Sequence, residues 1–275
     1  MTDVLWVRLL GRVAVDRGQG ECVPTSLAMQ HLLVLLAAAP RTPITRDALV
    51  ADLWADGAAP RNPDATLHTR MTRLRDWLGI PRDRLTATSG SYTLHLEPER
   101  VDFCRFHRLA RLALSVEAPA DALAAADGAL AEWGGEPWPG VSSPRLDVLR
   151  EHANARHQHV VEVRVRALLA LGRPLEAVDV VVPLAGEAPD REAWHALLVS
   201  ALHAAGRPKE AVEAFLAARR HLAEELGVGP GEELCDAYRR VLLDRAESTP
   251  GPTRVPPASR RSRRAARRHR PGRHR

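Results

Sequence analysis

Two stretches of this chain repeat one another. Leu168 to Val178 reads LLALGRPLEAV, and Leu202 to Val212 reads LHAAGRPKEAV. Gly172, Arg173, Pro174, Glu176, Ala177 and Val178 recur as Gly206, Arg207, Pro208, Glu210, Ala211 and Val212, each 34 positions later. That period belongs to stacked helix pairs, which recur because one pair cannot bury its own apolar face. The Gly-Arg-Pro is the turn between helices, with glycine just past one helix and proline opening the next. An earlier pair, Phe103 to Leu114 and Ala120 to Trp133, fits as a degenerate third copy. The chain is 45% apolar but only 4% aromatic, so its cores must be built from Leu, Val and Ala, a palette that suits helices.

The first hundred residues read differently. Val4 to Leu10 and Val13 to Val15 alternate weakly around Gly11 and predict short antiparallel strands. Leu27 to Ala38 is a helix apolar on most sides, and Thr45 caps a second over Arg46 to Trp54 with Leu49, Leu53 and Trp54 inward. Asn62-Pro63-Asp64 opens a third helix that ends at Gly79. Leu85 to Thr88 and Tyr92 to Leu96 then flank Ser89-Gly90-Ser91 as a hairpin. Strand signals fade beyond Val101, and helical patterns run to about Arg245. After Glu247 the chain turns to Pro, Gly, Ser and Arg with no apolar periodicity, which predicts disorder. The expected organisation is 1–98, 99–247 and a tail over 248–275. The fold class is mainly α, with an N-terminal winged helix-turn-helix of α+β type followed by an all-α tetratricopeptide-like domain.

Charge is concentrated at one end. The net charge is +5, yet ten arginines lie in the last 25 residues, leaving 29 basic against 34 acidic residues before them. The body is therefore mildly acidic, and any nucleic-acid contact must be local. The tail has two readings, a source of sequence-independent, salt-sensitive DNA affinity or an extension without function. Lys209 is the single lysine, a coding bias that weakens arginine richness as a signal. Cys22, Cys104 and Cys235 form no CxxC pair, which fits a reduced cytoplasmic protein. The longest apolar run, Leu27 to Ala39, is short of the roughly 20 residues that span a bilayer, so no membrane partner is expected.

The third helix carries the functional argument. At about 100° per residue, Leu67, Met71, Leu74 and Leu78 fall on one stripe, the core face. Thr69, Thr72, Arg73 and Asp76 point away from it, with Arg70 and Arg75 on the shoulders. Guanidinium groups and short hydroxyls are what a major-groove reader offers; the same residues also fit an ordinary solvated face. Three helices followed by a hairpin tip the balance, because in a winged helix the third helix enters the major groove.

The run TLHTRMTRLRDWLG over Thr66 to Gly79 resembles the response-regulator type of winged helix, together with Asp47-Ala48-Leu49, Leu53-Trp54 and Ser91-Tyr92-Thr93-Leu94 around it. Ala129-Leu130-Ala131-Glu132-Trp133 with Gly140, and Glu224 to Leu234 reading EELGVGPGEEL, resemble the bacterial transcriptional activator domain. In this order the motifs are similar to the actinobacterial antibiotic regulatory protein (SARP) family, over residues 4 to about 245. The resemblance implies that Arg73 reads a base and that Thr69 touches a thymine methyl or base edge. It places Arg70, Thr72 and Arg75 at phosphate contacts. The Trp54 indole is either a further phosphate donor or a core anchor. The wing lacks the arginine common in relatives, leaving Thr88 and Ser89 as phosphate donors.

The implied partners are double-stranded promoter DNA, bound at direct repeats, and RNA polymerase holoenzyme, with a homodimer on DNA and control of secondary-metabolite (antibiotic) genes. A tetratricopeptide-type adaptor that never touches DNA stays open, favoured by the acidic body. No enzyme or cofactor signature is found: GxxxxGK[ST] is absent, His157 points away from His152 and His159, and Cys104 with His107 reads as packing.

Overall fold

The computed structural model describes residues 5–248, so the expected disordered tail lies, Ser248 apart, outside the described residues. The chain opens with a three-stranded antiparallel meander, β1 (Trp6–Arg8), β2 (Ala14–Asp16) and β3 (Glu21–Cys22). Alternation in the sequence predicts only the first two strands, because the two residues of β3 are too few for it to register. Helices α1 (Leu27–Ala37), α2 (Arg46–Leu53) and α3 (Pro63–Leu78) follow, then the hairpin β5 (Leu85–Thr88) and β6 (Ser91–Leu94). A short strand β4 (Ile44–Thr45) completes that sheet in the order β4-β6-β5. This is a winged helix. Its wing turns on two residues rather than the expected three: Ser89 and Gly90 have φ of 50° and 77°, and Ser91 already pairs with Thr88. Two successive positive φ values match the twist of the flanking strands, which is why Gly90 is needed there.

Seven helices make up the rest of the described residues: α4 (Asp102–Ser115), α5 (Pro119–Ala131), α6 (Pro144–Ala170), α7 (Pro174–Glu187), α8 (Glu192–Ala204), α9 (Pro208–His221) and α10 (Glu232–Ser248). A 3-10 turn over Pro98–Arg100 leads into α4, and a π-turn over Leu222–Leu226 ends α9. The repeat seen in the sequence is exact in geometry. Gly172 and Gly206 are left-handed at φ 70° and 73°. The Arg173 and Arg207 amides donate to the Leu168 and Leu202 carbonyls, both at 2.9 Å. Each arginine also grips the glutamate three residues on with two bonds of 2.7 and 2.6 Å. Within the described residues no helix is long and apolar enough to cross a membrane.

Two apolar clusters hold the molecule, and the first runs without interruption from Leu5 to Val160, through the winged helix and into α4, α5 and the front of α6. The second lies among α5 to α10. Two polar seams join the winged helix to the helices behind it. At the first, the Asp102 carboxylate is buried; Oδ1 accepts from the Leu9 and Phe103 amides at 2.7 and 2.6 Å, and Oδ2 from Leu10 at 3.1 Å. Burial pushes its pKa up to about 6, although those three bonds and Arg105 pull the other way. Beside it, the Trp138 amide donates to the Leu9 carbonyl at 2.8 Å, and the fully buried indole packs on Phe103. Gly11 and Gly134 lie back to back, so a Cβ on either would sit 2.7 Å from a carbonyl oxygen of the other segment. At the second seam, Asp52 of α2 accepts from the Ser143 hydroxyl at 3.0 Å, and Ser143 caps α6. Arg145 Nε stands 3.0 Å from the other Asp52 oxygen.

Candidate nucleic-acid interface

Helix α3 is fixed at both ends by residues its sequence announces. Asn62 Oδ1 accepts from the Ala65 amide at 3.0 Å, Pro63 opens the first turn, and Gly79 closes the last in the left-handed conformation, φ 65°. Leu67, Met71, Leu74 and Leu78 are all sealed in the core, as the stripe predicts. Such a helix is held by apolar packing along one side and presents the other side as a rigid surface.

That surface sorts the sequence-nominated residues into three groups. Arg73 and Thr69 are exposed. Among the described residues Arg73 has no hydrogen-bond or ion-pair partner, so its guanidinium keeps all five donors. The Thr69 hydroxyl donates back to the Ala65 carbonyl at 2.9 Å, and Thr72 does the same to His68 at 3.1 Å. With its one proton spent on the helix, each threonine offers an acceptor oxygen and its methyl group. This geometry suits the thymine-methyl contact expected of Thr69. It does not suit Thr72 as a phosphate donor unless that backbone bond breaks.

Arg70 and Arg75 are half-buried, each for its own reason. Arg70 lies over the Trp54 ring, 4.8 Å from its centroid, and Trp54 itself is half-buried against the first core cluster. Trp54 thus anchors the end of α2 and carries a cation on its outer face. Arg75 reaches across to the wing, where Nε and Nη2 donate to the Leu85 carbonyl at 3.3 and 2.8 Å. It is a clasp between α3 and β5, with Nη1 left over. At the wing tip Thr88 and Ser89 are exposed, and neither hydroxyl has a partner among the described residues.

Helical periodicity alone did not single out Arg46. Its amide donates to the Gly90 carbonyl at 2.8 Å, which seats the start of α2 beside the wing turn. Its guanidinium lies 3.7 Å from Asp64 in the first turn of α3, with both side chains exposed. It is the cation nearest in sequence to the strand that supports the wing, and a β4–β6 pairing is the signal that would have found it.

The histidines fall elsewhere. His157, on the side of α6 away from His152 and His159, is half-buried and stacked on Trp133 at 4.3 Å, because α6 packs on α5 through that side. No group of three or more His, Cys, Asp or Glu residues among the described ones could hold a metal ion.

Residues 101–242 match the family described as the bacterial transcriptional activator domain. The chain is 32% identical over 243 residues to the regulatory protein AfsR of Streptomyces griseus, covering 87% of this chain and 25% of that protein. It is 28% identical over 249 residues to the regulatory protein DnrI of Streptomyces peucetius, covering 86% and 91%. It thus spans about a quarter of the AfsR length but nearly all of DnrI. The transcriptional regulator RedD of Streptomyces coelicolor is 27% identical over 251 residues, covering 86% of this chain and 70% of RedD. Among solved structures, Mycobacterium tuberculosis EmbR in complex with a low-affinity phosphopeptide superposes with a TM-score of 0.79 at 25% identity. That match covers 88% of this chain and 65% of EmbR. The chain belongs to the bacterial transcriptional activator domain family, and over its winged helix and that domain together it is similar to these Streptomyces regulatory proteins.

Proposed function

We propose that this chain is a cytoplasmic, sequence-specific activator that lays α3 in the major groove of promoter DNA. The observation that carries the reading is Arg73: exposed, unpaired among the described residues, and centred on the outward face of a helix whose core side and both ends are fixed. A free guanidinium on a fixed helix can bond O6 and N7 of one guanine bidentately. Thr69 lies one turn earlier with its methyl free for a thymine. Arg70 on its indole, Arg46 beside the wing, and the Thr88 and Ser89 hydroxyls ring that centre as candidate phosphate contacts, which set register without reading sequence. The division at residue 98 is then one of labour: the winged helix binds, and the domain behind it, through the two seams, presents RNA polymerase holoenzyme with a surface of fixed orientation.

The family resemblance supports binding to direct repeats, as a homodimer on DNA, upstream of secondary-metabolite genes for antibiotic synthesis. Footprinting of the purified chain across promoters beside its own gene tests this. Protected repeats spaced by about one helical turn are the expected result. No protection and no mobility shift on any of those promoters would reject DNA binding and leave the adaptor reading.

A further inference from the structure

The residues that the DNA-binding reading leaves unused converge on one place. A cleft of about 870 Å³ is lined by residues of α4 and α6 together with Ala38, just past α1, and with Pro98 and Glu99. Its lining combines the apolar side chains of Phe103, Leu149 and Ala155 with Arg108, Arg111, Arg156, His152 and His159. Glu99 is the only carboxylate among its described lining residues, and it is already 3.9 Å from Arg108. Arg111 and Arg156 have no ion-pair partner among the described residues. Arg111 and Arg156, without counter-charge of their own among the described residues, repel one another beside apolar side chains, and an anion would relieve that repulsion.

His107 reports the field inside. Its ring meets Phe103 edge-on at 4.4 Å. Burial first, then the charges of Arg156 and Arg111, push its pKa down to about 4, so the imidazole stays neutral and offers one donor and one acceptor. The volume falls within the roughly 300–1,000 Å³ typical of small-molecule sites, which are likewise mostly apolar with a few convergent polar groups.

We propose that this cleft is a binding site for a small organic anion, a carboxylate or sulfonate on an apolar body. The chain's own C-terminal stretch is excluded as occupant by its ten arginines and lack of any acidic residue. The site goes beyond the α3 surface and does not depend on it. Because its lining joins Ala38, just past α1, to α4 and α6, a bound anion bridges the winged helix and the helical domain.

The test uses the full chain and the fluorescent probe 8-anilinonaphthalene-1-sulfonate. One saturable site per chain is expected, with displacement by dodecanoate and not by dodecanol. The double substitution Arg111→Glu with Arg156→Glu should weaken the probe on the order of tenfold, as loss of charge-assisted bonds does; Arg82→Glu should leave it unchanged. Ala155→Trp fills the cleft from an exposed helix position and should abolish binding with all charges kept, which covers the case of a misfolded double variant. Three results would each overturn the proposal. These are equal displacement by the alcohol, probe binding that survives both cleft variants, and displacement by a short random-sequence duplex, which would make the cleft a nucleic-acid surface.

Discussion

The outward face of α3 and the two repeat turns spend the same side chain in opposite ways. At each turn an arginine is locked by two bonds to the glutamate three residues on, and the two turns are copies of one another. On α3, Arg75 is tied to the Leu85 carbonyl and Arg70 to an indole, but Arg73 between them is tied to nothing among the described residues. In a chain that uses arginine almost to the exclusion of lysine, abundance therefore carries no meaning. What separates a structural guanidinium from a reading one is whether the fold has already answered its donors. A satisfied arginine has little left to give a ligand, while an unsatisfied one on a rigid helix keeps all its donors, its backbone ordered before DNA arrives and its side chain ordering only on binding.

The comparison depends on the winged helix being held in place, so the largest effect is expected where it is anchored. Asp102→Ala strands three buried amide donors and should cost about 3 kcal/mol of stability at its greatest, read as a shift in urea midpoint. The loss should depend on pH in a definite direction. Because burial raises the folded pKa to about 6 from an ordinary 3.8, Asp102 contributes most below about pH 4, and its contribution falls as pH rises through 6. The gap between the natural chain and the variant should therefore be wider at pH 5 than at pH 8. A gap that widens with pH would mean that the charged form, not the protonated one, is favoured by folding.

Next comes Arg73→Ala, with an expected cost of about 1–3 kcal/mol on cognate DNA and far less on scrambled DNA, measured by fluorescence anisotropy. The free protein's melting midpoint should not move, since the side chain is exposed and unpaired among the described residues. Equal losses on both duplexes would demote Arg73 to a phosphate contact and remove the contrast with its neighbours.

Much of this fold could be read in advance where one physical constraint acts on many residues. The stripe Leu67, Met71, Leu74 and Leu78, the Asn62 and Thr45 caps, the Gly79 stop and the 34-residue repeat are each local, and each is found where the sequence placed it. What stayed hidden depends on partners distant in the chain. Nothing near Asp102 marks it as the acceptor for Leu9 and Leu10, and nothing near Gly11 says that Gly134 will press against it. The apolar pattern suggested a break near residue 98, yet the first core passes through it, because a seam is made by backbone donors and bare glycines that carry no periodicity. The candidate site divides along the same line. Its outward face followed from helical geometry, but the loss of Arg75 to the wing and of the Thr72 proton to its own helix required knowing which acceptors lie within reach.

Arg75 and Arg207 sharpen the comparison at its small end. Arg75→Ala removes two bonds to a half-buried carbonyl and should lower stability by about 1 kcal/mol, loosening the wing before any DNA is present. Its binding defect should be equal on cognate and scrambled duplexes, because what it positions is a backbone contact. Arg207→Ala should do least of all. Its ion pair with Glu210 is solvent-exposed, where Coulomb gain and side-chain entropy nearly cancel, and the turn it decorates is already fixed by Gly206 and by its own amide on the Leu202 carbonyl. Unchanged DNA affinity with an almost unmoved melting midpoint is the expected pair of results. A clear affinity loss for Arg207→Ala would show that a satisfied arginine far from α3 still serves the duplex, and partner counting would then fail as a guide to which guanidinium reads DNA.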